Sequence, residues 1–167
     1  MTETLRRLFA RPRPLSVAAA EPRHLDAIHG IETECFSEPW CRDSLLGNIT
    51  AKDRLCLVAA LGGEIVGYAS MLVVPDEGHI LNIAVAERAR RRGAGRLLLA
   101  RLMEDGAPLG ALDFTLEVRS RNRAAIALYE SMGFERCGAR KGYYRSPVDD
   151  ALVMWKRRPP GFAPELH

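Results

Sequence analysis

The pattern of apolar and polar positions predicts a chain of alternating strands and helices. Apolar residues recur every three or four positions between His24 and Phe36, which is the spacing of a helix with one buried face. Two strand-like runs, residues 54–61 and 64–74, flank Gly62-Gly63 and predict a hairpin. Further strands are predicted at 16–20, 79–85, 113–118, 134–140 and 151–155, and further helices at 43–49, 97–103 and 122–132. The order β-α-α-β-β-β-α-β-α-β-β implies a single α/β domain, with a mixed central sheet and helices on both faces.

Composition fits one globular domain with a basic segment at each end. The chain has 167 residues, of which 47% are hydrophobic and 27% are charged. We expect residues 15–156 to form the domain, residues 1–14 to be a basic, mobile tail, and residues 157–167 to be disordered. A net charge of +3 does not mark the whole protein as a nucleic-acid binder. The N-terminal tail has an alternative role as an arm that touches ribosomal RNA.

Cysteine and histidine spacing predicts no metal site. The four cysteines lack a Cys-x-x-Cys pair, and the four histidines lack zinc-like spacing. We interpret the cysteines as reduced thiols of a cytoplasmic protein. No apolar run is long enough to span a bilayer, and residues 1–14 lack the uninterrupted apolar core of a secretory signal.

A loop rich in arginine and glycine, residues 90–96, joins the strand ending at Val85 to the next helix. Gly93 and Gly95 allow the backbone to approach a ligand closely, and the positive end of the helix dipole lies behind them. Such a turn suits a phosphate or pyrophosphate, so the loop predicts a phosphorylated cofactor. The alternative is a surface turn with solvated arginines. The nucleotide-triphosphatase pattern fails because no Lys-Ser or Lys-Thr follows Gly95, and the dinucleotide fingerprint fails because its third glycine is missing.

Several motifs in this order resemble the GNAT superfamily of N-acetyltransferases, which bind acetyl-coenzyme A. Within it, the chain is most similar to the bacterial ribosomal-protein alanine N-acetyltransferases, the RimI family. The resemblance covers roughly residues 15–156. It rests on residues 81–85, 90–96, 116–119, 122–134 and 143–144.

The resemblance implies where acetyl-coenzyme A would bind. Backbone groups of Ile83, Ala84 and Val85 would bond the pantetheine arm, and the Val85 N–H would also polarise the thioester carbonyl. Asn122 would contact the pantetheine from the other side, although helix capping is an alternative and compatible role. The pyrophosphate would be held by Arg91, Arg92, Gly93, Ala94, Gly95 and Arg96.

The resemblance also assigns Glu117 as the general base and Tyr129 as the general acid. Acetyl transfer needs a neutral amine, a route for its proton, and a proton for the departing thiolate. The alternatives are an ordinary solvent-facing strand glutamate and a tyrosine packed in the core. Transfer would be direct, because none of the cysteines falls in the matched catalytic motifs.

The acceptor is expected to be a protein N-terminus. Neutralising an α-amino group with a pKa near 8 costs about 1.4 kcal/mol at pH 7, against about 4.6 kcal/mol for a lysine. By resemblance, the acceptor would be the N-terminal alanine of ribosomal small-subunit protein eighteen. Trp40, Tyr143 and Tyr144 are candidates for the walls of a peptide groove, and a place in the core is the alternative for Trp40. The alternatives are a lysine or small-molecule amine acetyltransferase, and a non-catalytic module that senses acetyl-coenzyme A or docks on a partner.

Overall fold

In a computed structural model, residues 13–162 form one seven-stranded sheet flanked by helices. The strands are β1 (Leu15–Ala19), β2 (Arg54–Leu61), β3 (Glu64–Val74), β4 (Asp76–Val85), β5 (Ala111–Arg119), β6 (Glu135–Arg145) and β7 (Val148–Lys156). The helices are α1 (Leu25–Cys35), α2 (Arg42–Thr50), α3 (Ala94–Gly106) and α4 (Arg123–Ser131), with short 3-10 turns between some elements. The predicted element order and α/β class are confirmed.

The predicted tails lie largely outside the described residues. Residues 1–12 and 163–167 belong to them, so the structure does not bear on their mobility. Within the C-terminal segment, residues 157–162 form no strand or helix, and the Arg158 N–H donates a hydrogen bond of 2.7 Å to Asp113 Oδ1.

Local signals at turns and caps have the predicted effect. Gly62 and Gly63 have φ of +60° and +86°, which is the left-handed conformation of a tight hairpin turn. Asn122 caps α4, because its Oδ1 accepts the Ala125 N–H at 3.2 Å. β4 begins earlier than the strand predicted at 79–85, because Asp76 alone turns the chain with φ of +66° and Glu77 already pairs with Val74 of β3.

The sheet order is β1-β2-β3-β4-β5-β7-β6, and β4 and β5 are its parallel pair. Their pairing ends at Ile80 and Leu116, although β4 continues to Val85 and β5 to Arg119. The two strands therefore separate over their last residues. We call the gap between them the cleft.

A bulge in β4 lies next to the point of separation. Ser70 pairs with Asn82 and Met71 pairs with Ile80, so Leu81 is an extra residue in the strand. A bulge bends its strand and shifts the alternation of side chains by one residue. Accordingly, Ile80 packs in one core and Ala84 in the other.

Two hydrophobic cores lie on opposite faces of the sheet, as predicted. On one face, α3 contributes Leu98, Leu99 and Leu102, and α4 contributes Ile126. On the other face, the apolar stripes of α1 and α2 cover β2, β3 and β4. The cleft thus lies between two packed layers, which hold its edges in place.

Candidate active site

The cleft exposes backbone groups of alternate β4 residues. The Ala86 N–H donates to the Val66 carbonyl at 2.8 Å, so this pair is a hydrogen-bonded pair of the antiparallel ladder. Bonded and non-bonded pairs alternate, so Ala84 also bonds to β3, whereas the N–H and C=O groups of Ile83 and Val85 point away from β3 into the cleft. The structure thereby separates the three predicted pantetheine-binding residues: Ile83 and Val85 present their backbone to the cleft, and Ala84 does not.

The Val85 carbonyl already has partners within the chain. It accepts Arg90 Nε–H at 3.0 Å and the Cys35 thiol at 3.4 Å. Burial raises the pKa of that thiol, so Cys35 remains a neutral donor. Because the carbonyl is engaged, the N–H is the Val85 backbone group left for a ligand. The arginine-glycine pattern did not predict that the Arg90 side chain turns back to bind the carbonyl of Val85 in β4.

The loop before α3 has the conformation of an anion-binding turn. Arg91 and Gly93 both adopt left-handed φ angles, +61° and +85°, and Gly93 is the N-cap of α3. Such turns point successive N–H groups to one side, next to the positive end of the helix dipole. A Cβ at Gly95 would lie 3.3 Å from the Leu128 side chain, so glycine here lets α3 pack tightly against α4.

The loop arginines differ in whether their guanidinium groups already have hydrogen-bond partners within the chain. Arg96 donates to Ser131 Oγ at 2.6 Å and so joins α3 to α4. Arg91 and Arg92 are exposed, and neither forms a hydrogen bond or an ion pair with residues 13–162. These two guanidinium groups are therefore suited to binding a diphosphate.

Glu117 is not a freely solvated strand glutamate. Its neighbours Leu116 and Val118 lie in the α3 core, so its side chain projects from the opposite face of β5. Its Oε1 lies 2.9 Å from Arg140 Nε, and the side chain is 28% exposed. The carboxylate also raises the pKa of Tyr143. Charged and phenolic partners therefore orient Glu117 at the cleft.

Tyr129 is part of the core, as the packing alternative requires. It is 8% exposed, and its ring lies 6.1 Å from that of Phe134. Burial, with a smaller contribution from Tyr144, raises its pKa to about 12. Its hydroxyl forms no hydrogen bond within residues 13–162. The phenol thus keeps its proton at neutral pH and has no competing acceptor.

Two of the candidate acceptor residues, Tyr143 and Tyr144 of β6, lie next to Glu117. Tyr143 is 53% exposed, and its ring meets that of half-buried Tyr144 edge-on at 5.2 Å. Burial, followed by the charge of Glu117, raises the pKa of Tyr144 to about 12. Trp40 is half-buried and packs against the α1 core, while Asn122 adds its side-chain amide near the start of α4.

Comparison with known proteins identifies the family. Residues 25–134 match the model described as Acetyltransferase (GNAT) family. The chain belongs to the GNAT acetyltransferase family. This GNAT protein is 37% identical over 132 residues to a ribosomal protein bS18-alanine N-acetyltransferase of Salmonella typhimurium, a match that covers 78% of this chain and 88% of the relative. It is 34% identical over 153 residues to N-alpha-acetyltransferase RimI of Mycobacterium tuberculosis, covering 88% and 95%.

Solved structures agree with the family. The crystal structure of the Escherichia coli ribosomal-protein-S18-alanine N-acetyltransferase matches with a TM-score of 0.81 and 33% identity, covering 92% of this chain and 99% of that one. A Salmonella typhimurium protein, yncA, was solved with acetyl-CoA and shares the GNAT fold with a TM-score of 0.78 at 20% identity.

The sequence analysis did not predict one buried polar group of this GNAT protein, the carboxylate of Glu32. The Glu32 carboxylate of α1 is 1% exposed, accepts the Trp40 N–H at 2.9 Å and accepts the Tyr68 hydroxyl. Asn82 donates to the same tyrosine oxygen at 2.8 Å. A charged residue on the apolar stripe of α1, four residues after Ile28, was the available signal. The network connects α1, the strands and the segment that carries Trp40.

Residues 13–162 contain no group of three or more histidine, cysteine or acidic side chains arranged to hold a metal ion. None of their helices combines the length and apolarity that crossing a membrane requires.

Proposed function

We propose that this GNAT protein transfers the acetyl group of acetyl-coenzyme A directly to the N-terminal alanine of a small-subunit ribosomal protein. One observation carries the proposal: the backbone groups of Ile83 and Val85 face a cleft that lies between an anion-binding turn and Glu117. The relatives named above, bS18-alanine N-acetyltransferases, support the choice of acceptor. The function implies a cytoplasmic enzyme.

The cofactor site follows from the groups that the fold leaves without partners. The N–H groups along residues 91–96 would hold the pyrophosphate, together with the Arg91 and Arg92 guanidinium groups. The Ile83 backbone would bond the pantetheine, and the amide of Asn122 would contact it from α4. The N–H of Val85 would donate to the thioester oxygen, which gains negative charge during transfer.

Glu117 would accept the proton that the attacking amine loses, directly or through a water molecule. As the amine nitrogen bonds to the acetyl carbon, the carbon–sulfur bond breaks and the sulfur takes a proton from Tyr129. Proton transfer from a phenol with a pKa of about 12 to the thiolate of a thiol near 8.5 costs roughly 5 kcal/mol. Burial of Tyr129 therefore increases this cost, so transfer requires additional proton donation by water or a lower phenol pKa in the loaded site.

The proposed acceptor is tested with two peptides. One begins with Ala-Arg and lacks lysine, and the other has a blocked N-terminus and one internal lysine. We expect acetylation of the first, located on the α-amino group by mass spectrometry, and at least tenfold lower kcat/KM for the second. Preferential acetylation of the lysine would contradict the proposal, as would acetyl-coenzyme A binding without transfer to either peptide.

A further inference from the structure

Asn82 is a half-buried asparagine of β4 at the point where this strand leaves β5. Its side chain shares a face of the sheet with that of Ala84, two residues later, so it lies on the side that α1 covers. Glu117 projects from the same side of β5. The last paired residues of the two strands are Ile80 and Leu116. Asn82 and Glu117 therefore follow the last pair by two residues and by one residue, and both lie at the start of the cleft.

A buried hydrogen-bond network holds the side-chain amide of Asn82. Its Nδ2 donates to the Tyr68 hydroxyl oxygen at 2.8 Å and to the two carboxylate oxygens of Glu32 at 3.4 and 3.3 Å. The Tyr68 hydroxyl itself donates to Glu32. Tyr68 and Glu32 are each 1% exposed. Two buried groups, one on β3 and one on α1, thus hold the amide nitrogen in place.

The network also fixes which way round the amide lies. Half a turn of an asparagine amide exchanges its donor nitrogen and its acceptor oxygen. Because the Tyr68 proton is donated to Glu32, the Tyr68 oxygen is left to accept a hydrogen bond from Asn82. An exchanged amide would turn its oxygen toward the carboxylate oxygens of Glu32, which have no proton to donate. Nδ2 therefore faces the network, and Oδ1 points away from it.

Asn82 Oδ1 has no hydrogen-bond partner within residues 13–162. Two buried side-chain atoms of this region lack a partner, Arg54 Nε and Ser70 Oγ, and Oδ1 is not one of them. The Oδ1 atom is therefore accessible to solvent. A fixed acceptor that is open to solvent at the start of the cleft is available to a substrate.

We infer that Asn82 Oδ1 accepts a hydrogen bond from the acceptor amine and, together with Glu117, orients that amine for attack. The inference rests on the proposed function. A neutral primary amine has two N–H bonds and one lone pair. When Glu117 binds one N–H and Asn82 binds the other, the lone pair is left to face the thioester. The two residues therefore favour a primary amine over a secondary amine, which has a single N–H.

A double-mutant cycle tests this contact. The substrates are the alanine peptide described above and the same peptide with N-methylalanine as its first residue. The variant is Asn82→Leu, which keeps the approximate size of the side chain and removes both polar groups. We expect kcat/KM for the alanine peptide to fall about five- to tenfold, the effect of one lost hydrogen bond. The value for the methylated peptide should change little, so the preference for the alanine peptide should shrink at least threefold.

The inhibition constant of the methylated peptide, measured against the alanine peptide, gives the same comparison without relying on turnover of the methylated peptide. Asn48→Leu is the matched control. Asn48 is a buried asparagine of α2 that accepts the Arg54 Nη1–H at 2.6 Å and takes no part in the network around Asn82. We expect this control to keep the wild-type preference.

Tyr68→Phe is a second variant, which keeps Asn82 and removes the nearest partner of its Nδ2. We expect the preference for the alanine peptide to shrink about twofold, because the amide is then held less firmly. This variant decides the question if Asn82→Leu does not fold. Coenzyme A affinity, measured by calorimetry, should stay within twofold of the wild type in all three variants.

Equal losses of kcat/KM for both peptides in the variants of Asn82 and Tyr68 would overturn the inference and leave the proposed function intact, because a general disturbance of the cleft affects both peptides alike. A similar loss of preference in Asn48→Leu would also overturn it. If the wild type does not acetylate the alanine peptide, the proposed function itself fails.

Discussion

The Nε atom of Arg140 lies 2.9 Å from Oε1 of Glu117, so the proposed base is paired with a cation before any substrate arrives. Arg140 extends from β6, and its side chain is more exposed than that of Glu117. Exposed ion pairs contribute little to stability, typically about 0–1 kcal/mol. The pair therefore orients the carboxylate more than it stabilises the fold.

Replacing Glu117 with glutamine should lower kcat for the alanine peptide by about a hundredfold or more, because the amide cannot accept the amine proton. Coenzyme A binding, measured by calorimetry, should change little, since no cofactor contact is assigned to Glu117. Glu104→Gln, on the exposed surface of α3, serves as the control and should retain full turnover. Wild-type turnover in Glu117→Gln would remove Glu117 from the mechanism.

Replacing Tyr129 with phenylalanine should separate catalysis from stability. The hydroxyl has no hydrogen-bond partner within residues 13–162, so its loss should change the free energy of unfolding by less than about 1 kcal/mol. Turnover should fall by at least about tenfold, because the proposed proton donor is absent. Urea unfolding gives the free energy of unfolding, and steady-state kinetics on the same preparation gives the turnover. A large loss of stability with normal turnover would reverse the assignment.

Arg92→Gln should weaken coenzyme A binding by about tenfold, because the removed guanidinium has no partner in the described chain and is suited to the diphosphate. The affinity of the variant should depend less on salt than that of the wild type. Arg101→Gln is the matched control, since Arg101 pairs with Asp105 on α3 at 2.8 Å. Equal affinities for all three proteins would place the diphosphate elsewhere.

Two glycine-to-alanine substitutions should change stability in opposite directions. A Cβ at Gly30 or at Gly93 would meet no atom within 4 Å, so conformation alone decides the outcome. Gly30 lies inside α1, where alanine should stabilise by about 0.5–1 kcal/mol. Gly93 has φ of +85°, where alanine should destabilise by about 1–2 kcal/mol. Chemical denaturation measures both, and equal signs would contradict the left-handed turn before α3.

Alkaline pH should destabilise the protein through its buried phenols. Burial raises the pKa of Tyr129 to about 12, whereas an unfolded tyrosine titrates near 10. Between these values the unfolded chain binds fewer protons than the folded chain, so the free energy of unfolding falls as pH rises. The contribution of Tyr129 is fully present below pH 10, and about 2 kcal/mol is lost by pH 12. Tyr129→Phe should show a shallower decline in denaturation curves recorded across this window.

Local patterns in the sequence predicted much of the fold. The Gly62-Gly63 hairpin and the Asn122 cap depend only on neighbouring residues, so the residue types at those positions were sufficient to predict them. The orientation of Glu117 followed from the alternation of a strand with apolar neighbours. The GNAT assignment followed from several motifs in one order.

Features that depend on pairing between distant segments could not be predicted in this way. Arg119 meets Ser37 across 82 positions and Pro147 across 28, and no periodicity encodes such contacts. The return of Arg90 to Val85 is shorter, but it depends on the course of the loop rather than on residue type. The roles assigned to Glu117 and Tyr129 remain predictions until the kinetic measurements above are made.

Because Leu81 is an extra residue in β4, the number of residues in this part of the strand matters more than their identity. A one-residue deletion between Leu81 and Val85 would remove the bulge, and with it the bend of β4 next to the point where this strand leaves β5. Conservative side-chain replacements there leave that bend intact. Insertions and deletions in this short stretch should therefore be far less tolerated than substitutions.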